Sequence, residues 1–158
     1  MKIYIIRHGI PNYENDCLTP EGIKQAFKLG EKFKNIPVDA FYVSTQGRAR
    51  QTAEPLLKNH PNAKVNYVDW AREDLGSKYF EFKNNGKFQW YFFDPEWVKL
   101  FRTQEVAKYG NDWVKHPEIA KTTMPEGFKL MSESVDAFML ELGYEHDRVN
   151  HSYKRIKE

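Results

Sequence analysis

The sequence predicts an α/β protein: an open, mostly parallel sheet with helices on both faces, in a single domain over residues 1–158. Three observations lead there. Residues 3–6, Ile-Tyr-Ile-Ile, form a short unbroken apolar run, the pattern of a strand covered on both sides. A helix start follows at Thr19-Pro20-Glu21. Strand-like and helix-like stretches then alternate to about residue 70, as crossovers between parallel strands require.

Each element has its own local reason. Thr19 suits an N-cap, Pro20 the first helical position and Glu21 the positive end of the helix dipole. Ile23, Ala26, Phe27 and Phe33 recur at helical spacing, and Pro37 ends the helix. Residues 38–44 read as a second strand. Residues 48–58 read as a second helix with Ala49, Ala53, Leu56 and Leu57 inward, short or kinked because of Pro55. Residues 64–70 read as a third strand. Residues 76–128 break the rhythm: they hold 13 of the chain's 24 aromatics among lysines and glycines. That mixture predicts an inserted helical segment with a small core of its own, able also to act as a specificity lid. Residues 132–142 return to helical spacing through Val135, Phe138, Met139 and Leu142, and the pattern extends past Gly143 through Val149, Tyr153 and Ile156.

The totals narrow the partners. A net charge of +2 with mixed signs provides no basic field for nucleic acid or an anionic membrane. The single cysteine, Cys17, excludes an internal disulfide and points to a reducing compartment. No cationic leader with an apolar core follows Met1, and no apolar run approaches bilayer length, so a cytoplasmic location is expected.

In open α/β sheets, ligands bind beyond the carboxyl ends of the strands. Three such ends are readable: Arg7-His8-Gly9, then Ser44, Thr45 and Arg48, then Arg72 and Glu73. Arginine forks suit phosphate oxygens, a helix N-terminus adds free N–H donors, and Gly9 lets backbone approach a ligand closely. The rim reads as a phosphate pocket for a small phosphorylated molecule. Plainer readings stand beside it. Arg48 could cap or salt-bridge its own helix, Glu73 could be a solvated acid beside Asp74, and Thr19 is mainly an N-cap. Cys17 lacks the arginine six residues on that a cysteine phosphatase needs, since position 23 is Ile, and reads as a packed thiol.

"RHGIPNYENDCLTPEGIKQA" followed by "STQGRARQTA" resembles the histidine phosphatase superfamily, the phosphoglycerate-mutase-like fold. The first stretch matches its R-H-G opening and L-T-x-x-G-x-x-Q-A helix start, with Asp16 before them. The second matches S-P-L-x-R-A-x-Q-T-A through Ser44, Arg48, Ala49, Gln51, Thr52 and Ala53, departing at Thr45 and Gln46. "ARED" resembles the L-x-E element, with Ala71 in place of leucine, and Glu133-Ser134 faintly echoes a later G-E-S. The continuous resemblance covers about the first 75 residues, and two motifs in order on suitable elements make it specific. It implies a metal-independent phosphomonoesterase with no cofactor: His8 as nucleophile, Arg7 and Arg48 on the phosphoryl oxygens, Glu73 as acid and then base. It equally accommodates a mutase or a phosphate-binding pseudoenzyme.

Two departures matter. Where the family has an asparagine six residues after its nucleophile, this chain has Glu14, with Asn12 and Asn15 close by; Asn15 is the expected phosphate ligand. The family's second histidine, on a V-x-x-H-G strand end, has no counterpart after Leu142, and none of His116, His146 and His151 is assigned to that role. The chain is therefore expected to lack the C-terminal strands, to leave an apolar edge uncovered, and to be a fragment of a protein that continues past Glu158, weakly active or inactive by itself.

Overall fold

Thr19 opens the first helix as its chemistry predicts. In the computed structural model, which describes residues 1–156, its Oγ1 accepts from Gly22 N at 3.1 Å, and Pro20 takes the first turn of α1 (Pro20–Phe33). The buried face of α1 is Gly22, Ala26, Gly30 and Phe33, whereas Ile23 and Phe27 are exposed, contrary to expectation. Small residues win that face because it meets another backbone: a Cβ on Gly30 would lie 2.8 Å from Pro55 Cβ. Pro55 lies inside α2 (Gly47–Asn59), which runs on to Asn59 instead of stopping early.

Arg48, Thr52 and Leu56 form the buried stripe of α2, so two polar residues take inward positions that alanines were expected to fill. Thr52 Oγ1 donates to Arg48 O at 2.8 Å. At the far end, Asn59 Nδ2 donates to Gly30 O at 3.0 Å, and His60 places Nδ1 2.7 Å from Leu56 O and Nε2 2.9 Å from Ile36 O. Asn59 thus satisfies a carbonyl near the carboxyl end of α1, and His60 lies between a carbonyl of α2 and one just past α1.

The expected second and third strands pair in parallel, β3 (Ala40–Ser44) with β4 (Lys64–Val68), in register from Ala40 opposite Lys64 to Ser44 opposite Val68. Thr45 Oγ1 donates to Asp69 Oδ1 at 2.6 Å and clamps their carboxyl ends. A 3₁₀ turn, Asp69–Ala71, shortens the third strand by two residues. The first expected strand does not form: residues 1–9 have no regular structure, and no ladder joins them to β3 or β4. Ile3, Tyr4, Ile5 and Ile6 are exposed, Ile5 at 96%, although the Tyr4 ring meets Phe33 edge-on at 5.1 Å. A fully apolar strand is stable only when other elements cover it, and among the described residues none does. A short antiparallel pair follows, β1 (Pro11–Asn12) with β2 (Cys17–Leu18).

The α/β class holds, with one parallel pair and three antiparallel ones among the described residues. The chain divides into two compact units, Met1–Arg72 and the residues from Glu73 onward. The second unit contains the aromatic stretch, which builds its own core as expected. Tyr79, Phe80, Tyr91, Val106, Ile119 and Met124 are buried together, and Phe82 stacks on Tyr91 at 4.6 Å. Around this core stand α3 (Glu73–Phe80), the hairpin β5 (Glu81–Asn84) and β6 (Lys87–Trp90), and three short helices: α4 (Pro95–Phe101), α5 (Gln104–Ala107) and α6 (Pro117–Ala120). Asp94 caps α4 by accepting from Glu96 N and Trp97 N at 3.0 and 3.1 Å. No helix among the described residues is long and apolar enough to cross a membrane.

The last helix, α7 (Met124–Glu141), starts eight residues before its expected position, and the chain beyond it is not helical. Gly143, at φ 85°, ends α7, and a hairpin follows, β7 (Tyr144–Asp147) against β8 (Ser152–Arg155). Asp147 Oδ1 accepts from Val149 N and Asn150 N, both at 3.1 Å, which makes the turn and defeats the helical spacing of Val149, Tyr153 and Ile156. Asp136 on α7 anchors the hairpin: it accepts from Tyr153 Oη at 2.7 Å and Arg148 Nη2 at 2.9 Å. His146 Nδ1 lies 2.9 Å from Asp136 Oδ1, at ion-pair distance but outside hydrogen-bond alignment.

Burial alone would raise the Asp136 carboxyl, but Tyr153, His146 and Arg148 outweigh it and hold it below the usual range. Burial and the Asp136 carboxylate push Tyr153 up to about 12. The signs follow. The ionised Asp136 stabilises the fold above the ordinary carboxylate range, and this is lost as pH falls through its lowered value. The neutral Tyr153 stabilises it below the ordinary tyrosine value of 10.0, and this is lost as pH rises from there towards 12. Asp136→Ala is expected to cost about 2 kcal/mol. Hydrogen exchange at β7 and β8 checks it, with their amides losing protection first in alkali in the native protein and already at neutral pH in the variant.

Candidate active site

The loop after the opening apolar run is held against both helices by side chains of the two motifs. Gly9 N donates to Thr52 Oγ1 at 3.1 Å, Ile10 N to Gln25 Oε1 at 3.0 Å and Leu18 N to Gln51 Oε1 at 2.5 Å. Ile10 O receives Thr19 N at 2.9 Å and Thr19 Oγ1 at 3.0 Å. Gly9 and Gly22 let this strand of backbone lie directly on α1: a Cβ on Gly9 would sit 2.7 Å from Gly22 O, and one on Gly22 would run into Ile10 O. Much of what marks the motifs is therefore stapling, which fixes where His8 stands.

His8 is half-buried, with Nδ1 2.8 Å from Gly9 O. A carbonyl only accepts, so the contact calls for hydrogen on Nδ1, and in the neutral ring that leaves the lone pair on Nε2. Arg48, 6% exposed, stands in the first turn of α2. Its Nη1 donates to Asp16 Oδ1 at 2.5 Å, and its guanidinium lies 5.1 Å over the Tyr13 ring. The same ring meets His8 edge-on at 6.2 Å. His8 and Arg48 are thus brought to one aromatic side chain, and Thr52 bonds to the backbone of both segments. Arg48 does form an ion pair, but with Asp16 in a distant loop and not within the helix it begins.

The remaining expected residues stand differently. Arg7 is exposed one position before His8. Asn15 is exposed, and its N donates to Asn12 Oδ1 at 3.3 Å; Glu14 beside it also faces solvent. Glu73 is exposed at the first residue of α3, where the second compact unit begins. Cys17 is a free, partly buried thiol in β2.

Tyr13 and Asp16 are residues that sequence reasoning left without a role. Asp16 lay inside the matched motif, but its spacing gave no hint that its carboxylate reaches 31 residues ahead to Gly47 N, at 2.6 Å. Burial would raise this carboxyl; the Gly47 and Arg48 hydrogen bonds and the Arg48 charge prevail and hold it below the usual range. The site therefore holds an imidazole whose Nδ1 is engaged by Gly9 O and a buried guanidinium gripped by Asp16, both in contact with the Tyr13 ring.

Comparison with known proteins gives the family. A family model described as histidine phosphatase superfamily (branch 1) matches residues 3–123. The chain is 37% identical to a 2,3-bisphosphoglycerate-dependent phosphoglycerate mutase of Chlamydia muridarum over 32% of this chain and 23% of that protein. It is 35% identical to one from Chlamydia pneumoniae over 39% and 26%. It is 36% identical to phosphoglycerate mutase 2 of Arabidopsis thaliana over 40% and 22%. The matches thus span about a quarter of the length of these relatives. No solved structure matches.

Proposed function

Because this chain belongs to the histidine phosphatase superfamily, we propose that it is a metal-independent phosphomonoesterase acting through phosphohistidine on a small phosphorylated molecule. The observation that supports this reading is the contact between His8 Nδ1 and Gly9 O, 2.8 Å: with Nδ1 donating to that carbonyl, Nε2 is the ring nitrogen left to act as nucleophile.

In the first step Nε2 attacks phosphorus and the bond from phosphorus to the ester oxygen breaks. Glu73 gives its proton to the departing alcohol. In the second step Glu73 takes a proton from water, the water oxygen bonds to phosphorus, and the N–P bond breaks to free His8 and phosphate. Arg7 and Arg48 carry the charge that spreads over the equatorial oxygens, and Asn15 adds a neutral donor.

Mutase chemistry is the second reading, favoured by the names of the relatives: the phosphoryl group then returns to another hydroxyl instead of water. A binding protein without turnover is the third outcome. Acid-quenched labelling with a phosphorylated substrate separates them. The expected result is a labelled protein that His8→Ala abolishes, with inorganic phosphate as product. Label passing to a second hydroxyl selects the mutase, and absence of label in the native protein leaves a binding module.

A further inference from the structure

Asp16 does more than its place in a turn requires. It lies between β1 and β2 at φ 45°, a left-handed conformation that aspartate tolerates better than most residues. From there its carboxylate is aimed at α2. Oδ2 accepts from Gly47 N at 2.6 Å, and Oδ1 faces Arg48 Nη1 at 2.5 Å and Arg48 N at 3.5 Å. Gln46, at the N-cap position itself, makes no side-chain cap bond, so the cap of α2 comes from a distant loop. The contact with Arg48 Nη1 is surplus to capping, and Tyr13, three residues earlier in the same loop, supports the face of the same guanidinium.

A guanidinium held at one nitrogen by a carboxylate and on one face by a ring cannot swing to follow a ligand. Its orientation is set before any ligand arrives, and a group fixed in advance stabilises developing charge without reorganising. The neighbouring carboxylate also offsets part of the attraction that Arg48 would exert on a resting phosphate dianion. A bonding pattern of this kind favours the transition state over the ground state.

We infer that Asp16 is a positioning residue for Arg48, fixing its guanidinium against Tyr13 so that the arginine serves phosphoryl transfer by orientation and not as a mobile charge. The inference rests on the phosphoryl-transfer reading of the His8 site.

Asp16→Asn tests it. Asparagine tolerates the same backbone conformation, and its Oδ1 still accepts from Gly47 N, so the cap persists while the charged hold on Arg48 is lost. Three measurements are made on native protein and variant: thermal melting, nitrogen-15 NMR of the Arg48 side chain, and hydrolysis of an aryl phosphate with inorganic phosphate as competitor. The expected result has four parts. Melting falls but a folded population remains, since the buried guanidinium loses its counter-charge, and rates are taken per folded molecule. Arg48 Nη signals resolved in the native protein average through rotation in the variant. Then kcat falls about 10-fold to 100-fold, while KM and the inhibition constant for phosphate are unchanged or lower. An unchanged kcat, Arg48 signals that stay resolved, or a loss of activity that only follows a loss of folded protein overturns the inference. A native protein without turnover or phosphoenzyme removes the phosphoryl-transfer reading instead, and the Arg48 signals then decide the orienting role by themselves.

Discussion

Arg48→Ala is expected to reduce turnover of an aryl phosphate about 1000-fold, the upper range for removing a group that stabilises transition-state oxygens. Glu73→Gln is expected to cost far less on that substrate and about 100-fold on an alkyl phosphate. The contrast comes from the leaving group. An aryl oxide departs without a proton, whereas an alkoxide needs one, and charge on the equatorial oxygens must be balanced in both cases. Arg48 is buried and pairs with Asp16, so its removal also strands a carboxylate at the start of α2 and lowers stability. Rates are therefore taken per folded molecule, and Arg48→Lys supplies the second comparison: lysine keeps the charge but loses the planar fork, and is expected to recover little. Equal losses for Glu73→Gln on both substrates would remove Glu73 from the role of acid.

Gly22→Ala is expected to be among the most damaging single methyls in the first unit. The added Cβ would meet Ile10 O at less than contact distance and lie 3.0 Å from Ile10 N, and both are backbone atoms that no rotamer change can move. Either α1 shifts or the loop carrying His8 and Gly9 lifts away from it, at a cost of about 3 kcal/mol. Since Ile10 follows that loop directly, a displacement near 1 Å at His8 is expected to reduce turnover about 100-fold among molecules that still fold. Urea unfolding and the labelling yield per folded molecule measure the two effects separately. A variant with native stability would mean that Gly22 is not a point of close approach.

The parts of the fold legible in the sequence are those decided by neighbours in the chain. Thr19, Pro20 and Glu21 specify the start of α1 without help from elsewhere, and the parallel strands before and after α2 follow from the lengths between turn residues. Residues 3–6 show the opposite case: their composition is that of a covered strand, but covering depends on other elements, and Ile3 to Ile6 stay exposed. On α1 the larger apolar side chains Ile23 and Phe27 looked inward, yet closeness of two backbones favoured Gly22, Ala26 and Gly30. After Gly143 the spacing of three apolar residues imitated a helix, while the turn-forming Asp147 and Asn150 carried the stronger local signal.

The candidate site divides along the same line. His8 and Arg48 were readable because residue type and motif order name them. Asp16 and Tyr13 were not, because their importance lies in reaching across a fold to Arg48, and no spacing along the chain encodes that reach. For Asn15 and Glu73 the motif supplies an expected role, and the structure places both at exposed positions.

Of the four tryptophans, Trp90, Trp97 and Trp113 pack with the aromatic core of the second unit, and Trp70 alone belongs to the first. Intrinsic emission from this protein is therefore a signal weighted towards the aromatic core, with only a single, partly exposed indole to report on the unit that holds His8. A titration or melt followed by that light alone can look silent while the His8 loop rearranges, and a fluorophore attached near Cys17, in β2 beside the loop, would see what the native indoles miss.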